Sequence, residues 1–239
     1  MNKELLARKL EAQLKLVASE RQLARYEPGM LAARSALKRY QSARLRRTHG
    51  DLLANPDTAG AARFFLEELY GAHDLSQRDV DLGRIIPTLQ KMLSTESLHT
   101  ITEAIVLDAL SERLDSAMAR VLGVDFTEGM YIAAYRTATT RQERSEQLAL
   151  VQSLGDSLCE LVKIPLLSMT LTIMKAPARV AGLGQLHQFL NEGFTTFKRM
   201  RKPARFVETI VDRERAVMDN IFAGRQEPFE LAADYGGPG

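Results

Sequence analysis

Apolar residues recur three and four positions apart along almost the whole chain, and a chain with that period can bury one continuous face only as α-helix. Leu6, Leu10, Leu14 and Val17 follow it near the start. Leu107, Leu110, Leu114, Ala117 and Val121 follow it in the middle, and Leu186, Leu190, Phe194 and Phe197 later on. No strand-like alternation persists, and no unit of 20–50 residues repeats. The 8 prolines and 15 glycines fall mainly between these stretches, where they act as punctuation. The predicted fold is all-α: a multi-helix bundle of about eight or nine helices that opens with a long basic N-terminal helical hairpin.

The punctuation places the elements. Residues 2–26 read as a first helix, broken by "YEPGM", where Pro28 cannot continue the backbone ladder and Gly29 tolerates the turn. Residues 30–48 read as a second, lying beside the first as an antiparallel hairpin or projecting with it. "GDLLANPDTAG" then marks a boundary, dividing a basic helical pair (1–50) from a compact helical body (56–224), with a flexible tail at 225–239. Thr127, Thr140 with Glu143, and the "STES" at Ser94 are helix-start signals, and Pro87 marks a kink or break. The segment "LVKIPLLSMTLTIM" (161–174) is apolar nearly all round. It falls short of the roughly 20 residues that span a bilayer, so it is expected to be a central, buried helix. Ala176-Pro177 is expected to start the next helix.

Charge divides the chain unevenly. Residues 1–50 hold 12 Lys+Arg against 4 Asp+Glu, whereas the remainder holds 20 against 26. Arg34, Lys38, Arg39, Arg44, Arg46 and Arg47 crowd the second helix as a basic patch that could neutralise phosphates. With no recognised nucleic-acid motif beside them, pairing with the acidic body or solvation is the favoured reading, and nucleic acid the disfavoured partner. Cys159 is the single cysteine, so intrachain disulfides and Cys-rich zinc sites are excluded and a reducing, cytoplasmic setting is expected. The start interleaves charge with leucine and lacks the apolar run of a secretory signal. No membrane partner is expected.

Chemistry has few anchors. "FFLEELYGAHDLSQRD" (64–79) clusters polar residues after an aromatic run, and Phe64, Tyr70, His73 and Arg78 could line a small-molecule pocket there. The alternative is a corner between helices, with Gly71 ending one and Asp74–Gln77 and Ser76–Asp79 forming overlapping capping boxes for the next. Glu96, His99 and Glu103 carry metal-ligand spacing on one helix face. The second E-x-x-H pair that a di-iron bundle needs is absent. His187 sits among leucines at the edge of a core, where a neighbour or water satisfies it. No nucleophile elbow, dinucleotide loop or phosphate loop occurs, so no catalytic residue and no cofactor is expected.

The segments "ARFFLEELYGAHDLSQRDVD" and "KAPARVAGLGQLHQFLNEGFTTFKRM" resemble a bacterial family of helical proteins without an assigned biochemical role, over residues 62–200. That resemblance implies a bacterial cytosolic protein and transfers no catalytic residue. The expected function is a non-catalytic interaction or regulatory module, a homo-oligomer or the ligand of a protein partner, docking through its N-terminal helices. A ligand- or metal-binding bundle and a nucleic-acid-binding protein are the alternatives.

Overall fold

The computed structural model describes residues 2–66 and 76–231. Among them the chain forms eleven helices and no strand: α1 (Lys3–Tyr26), α2 (Met30–Thr48), α3 (Gly50–Ala54), α4 (Ala59–Phe64), α5 (Ser76–Met92), α6 (Thr95–Leu122), α7 (Glu128–Ala138), α8 (Arg141–Leu161), α9 (Pro165–Val180), α10 (Gly184–Arg199) and α11 (Pro203–Phe222). The all-α expectation holds. The count exceeds eight or nine partly because the segment read as a connector, "GDLLANPDTAG", folds into α3.

Four of the helix starts are written in the sequence as side-chain caps. The first amides of a helix have no partner inside it, and a short polar side chain at the cap supplies one. Asn2 Oδ1 accepts from the Leu5 amide at 2.9 Å, and Ser94 Oγ from the Ser97 amide at 3.1 Å. Thr140 and Glu143 close a reciprocal capping box: Thr140 Oγ1 accepts from the Glu143 amide at 3.2 Å, and Glu143 Oε2 from the Thr140 amide at 2.8 Å. Gly29 turns α1 into α2 with φ 77°, a conformation that a Cβ would strain.

The 28-residue α6 is the axis of the molecule. Helices α1, α2, α7 and α8 all pack on it. Leu6, Leu10, Leu14 and Val17 of α1 meet Leu82 and Ile86 of α5 and Leu98 and Ile105 of α6 in one core. Leu37 of α2, Met118 and Leu122 of α6 and Tyr131 of α7 build a second. A third, around Phe197, Phe206, Val207 and Val211, joins α10, α11 and α8 to α3 and α4. Each fully buried leucine contributes roughly 1.5–3 kcal/mol, so the inner face of α1 is part of what holds the protomer together. Helices α1 and α2 lie along the body rather than projecting from it.

Three further expectations change. The 161–174 segment is not a central buried helix: α9 covers one face against α10 and leaves the opposite face open. Pro177 does not start a helix but lies inside α9, which runs on to Val180. The turn falls at Gly182 (φ 75°) instead. Residues 225–231, read as the start of a flexible tail, fold back: the Asn220 side-chain amide donates to the Pro228 carbonyl at 3.2 Å, and Phe229 packs on Tyr131 with ring centroids 6.3 Å apart.

Candidate functional site

The polar corner that looked most like a pocket is the least open to description. Tyr70, His73 and the expected cap Asp74, with the side chains of Ser76, Gln77 and Arg78, lie outside the described residues. Phe64 is described, and it is core: its ring sits edge-on to Phe65 at 6.2 Å, tilted on Phe189 at 5.4 Å, and against the bare backbone of Gly193. Asp79, assigned to capping on sequence grounds, is buried and ion-paired to Arg21 of α1. It ties α5 to the N-terminal helix.

The metal-spaced triad does not assemble. Glu96 is fully exposed, and its own backbone N–H and the Ser94 hydroxyl hold its carboxylate below the usual range. His99 Nδ1 lies 3.6 Å from Glu103 Oε2, and Glu103 also accepts from Ser153 Oγ at 2.8 Å. Among the described residues no three His, Cys, Asp or Glu side chains converge on a metal-sized space. His187 is satisfied as expected, its Nε2 2.6 Å from the Leu171 carbonyl of α9.

The basic residues of α2 turn largely inward. Arg34, Lys38 and Gln41, spaced i, i+4, i+7, face Asp108, Glu112 and Asp115, spaced likewise on α6. Glu112 is ion-paired to Arg34, to Lys38 (3.1 Å) and to Arg21 of α1 (3.5 Å), and Gln41 reaches Asp115 at 3.0 Å. Arg21 also reaches Asp108 at 3.0 Å. Burial pulls the Arg34 and Lys38 pKa values down, against the nearby carboxylate of Asp115. Farther along α2, buried Arg44 pairs with Glu214 of α11, and Arg47 reaches Glu128 at 3.2 Å nearer the surface. Arg39 and Arg46 are exposed. At least four of the six named cations therefore bind the protein's own carboxylates.

Sequence reasoning missed the acidic half of this network, Asp108, Glu112 and Glu214, and the cation Arg21. The matching i, i+4, i+7 spacings on α2 and α6 were the available signal. Only the fold says that the two faces meet.

What stays open is the outer side of α9. Leu166, Met169, Ile173 and Val180 are 67%, 53%, 64% and 92% exposed, and with exposed Ala176 they form a stripe spaced 3, 4, 3, 4. The opposite side of α9 carries Leu167, Leu171 and Ala178 towards α10. A helix apolar on both sides buries only one of them within the protomer. Residues 165–174 carry no charge at all, Lys175 and Arg179 close the helix, and exposed Asp156, Glu160 and Lys163 lie just before its start, the last two ion-paired at 2.6 Å. Among the described residues no single helix is long and apolar enough to cross a membrane.

No curated protein and no solved structure matches the chain. Residues 20–228, from within α1 to the strap behind α11, match a family described as a domain of unknown function, DUF8198, and the chain belongs to that family.

Proposed function

We propose that this is a non-catalytic interaction protein whose docking surface is the outer face of α9. The observation that carries this reading is the stripe Leu166–Met169–Ile173–Ala176–Val180, apolar, contiguous and left in water by the protomer. Soluble proteins scatter single exposed leucines freely, whereas a continuous apolar helix face marks a binding surface. The N-terminal helices support a docking role less well, because α1 and α2 commit their inner faces to the protomer's own core and at least five of their cations, Arg21 among them, to its own carboxylates. Those same pairs weaken the nucleic-acid alternative, which needs such cations for phosphates.

The test is a photo-crosslinking amino acid placed at position 173 in the full chain inside living cells, with position 124 as control. Val124 is also exposed, at 47%, but lies between α6 and α7, away from the stripe. Protein adducts at 173 and none at 124 are expected. No adduct at 173 would remove the proposal.

A further inference from the structure

We infer that the occupant of this face is a second copy of the same chain, its α9 antiparallel to the first across a two-fold axis at Ile173; the inference rests on α9 being the docking surface.

The stripe is self-complementary in that direction alone. Pairing about Ile173 sets Leu166 against the partner copy's position 180, a valine, and Met169 against position 177, a proline, next to the alanine at 176, with Ile173 meeting itself. The long Met169 side chain thus lies beside the shortest of the stripe, as interlocking helices require. A parallel pairing would stack Met169 on itself and leave two alanines opposed. The 3, 4, 3, 4 spacing is that of a helix–helix seam. A two-fold interface in which one patch meets itself is also the commonest kind of homo-oligomeric contact.

Charge selects the same direction. Residues 161–205 hold eight Lys+Arg and one Asp+Glu, so a parallel arrangement would set Lys175 and Arg179 beside their own copies. Antiparallel, they approach the start of the partner's α9, where exposed Asp156 and Glu160 outnumber Lys163, which Glu160 holds at 2.6 Å. Among the described residues neither Lys175 nor Arg179 has an ion-pair partner within the protomer. A lipid surface fits less well. An interfacial helix lines its polar face with cations and anchors itself with aromatic rings. Here α9 contains no Trp, Tyr or Phe, and its cations sit only in the last turns.

The test uses the full chain. Light scattering should give twice the 26.7 kDa protomer mass, and Ile173→Glu should weaken association at least tenfold with unchanged circular dichroism. Register is read separately by oxidative crosslinking in a Cys159→Ala background. Ile173→Cys should form a disulfide dimer by itself. Leu166→Cys should not, but should crosslink when mixed with Val180→Cys. Self-crosslinking of Leu166→Cys would overturn the antiparallel arrangement. A monomer at the highest soluble concentration would overturn the second copy as occupant. Monomers that bind anionic but not neutral phosphatidylcholine vesicles, and lose binding on Ile173→Glu, would keep α9 as a docking surface and give it to a lipid. Monomers with neither vesicle binding nor crosslinks at 173 in cells would remove the docking surface as well.

Discussion

Arg44 and Glu214 stand 170 residues apart in the chain and meet with Arg44 Nη1 2.5 Å from Glu214 Oε1. The pair joins α2 to α11, and the same carboxylate oxygen lies 3.0 Å from His49 Nε2, just past the end of α2. Next to it Arg213 forks onto Asp51 of α3 at 2.6 and 2.8 Å. Taking charges from water is costly, and such a pair holds only while both members are present. The N-terminal helices are therefore locked to the last helix by chemistry that punishes the loss of either side.

Removing one partner should cost far more than removing both. Arg44→Met leaves Glu214 buried with only His49 to balance it, and about 3–5 kcal/mol of stability should be lost. Arg44→Met with Glu214→Leu should recover most of that loss, because no uncompensated charge remains. Urea unfolding of the two single variants and the double variant gives the comparison. Additive losses would show that the two side chains do not act as a pair.

Acid should attack the same contact. Burial pushes the Glu214 carboxyl up, but Arg44 and His49 outweigh it and hold it at about 2, against 4.5 for an ordinary glutamate. A carboxylate depressed on folding stabilises the protein fully above the unfolded value and loses that contribution as pH falls towards the folded one. The contribution is about 3 kcal/mol, lost progressively between pH ~4.5 and ~2. Chemical denaturation of the wild type and Glu214→Gln at a series of pH values should show a gap that is full at neutral pH and closes in that window. A gap independent of pH would separate Glu214 from the acid sensitivity.

The helices were legible in the sequence because their signals are local. Ser94, Thr127 and Thr140 each cap the helix they precede, and Leu6, Leu10, Leu14 and Val17 bury the face their spacing predicts. What was not legible depends on which faces meet. Arg34 and Lys38 read as solvated or paired with the acidic body, but nothing local to them says that Glu112 of α6 is the carboxylate they meet. Helix α9 read as central because apolar residues surround it, and periodicity cannot say whether the second partner of such a helix belongs to the same chain. Pro177 read as a helix start, yet it lies inside α9, and the chain turns only at Gly182, whose φ of 75° suits glycine.

At Gly155 the backbone of α8 lies against Val207 of α11. A Cβ there would sit inside the Val207 side chain. Gly155→Ala gains helix propensity of about 1 kcal/mol, but overpacking a filled contact costs about 1–3 kcal/mol. With Val207 immobile in the third core, the cost should win. Gly155→Ala should lower the melting temperature, and adding Val207→Ala should restore part of it by vacating the space. Thermal unfolding followed by circular dichroism decides between this and a simple propensity gain, in which Gly155→Ala would melt higher than wild type.

His187 is the polar tie between α10 and α9. A carbonyl can only accept, so the His187 Nε2 proton is the one donated to Leu171 at 2.6 Å. Among the described residues α9 has little else to hold it, since its main packing neighbour is α10 and its outer face is exposed. One such hydrogen bond contributes about 0.5–1.5 kcal/mol net, enough to change local opening about two- to tenfold. His187→Ala should therefore speed amide exchange across residues 166–180 by about that factor while α1 and α6 exchange as before. Hydrogen–deuterium exchange followed by mass spectrometry resolves the two regions. Equal acceleration everywhere would mean that the substitution loosens the whole fold, and none at all would mean that α9 is held by apolar contacts with Leu167, Leu171 and Ala178 alone.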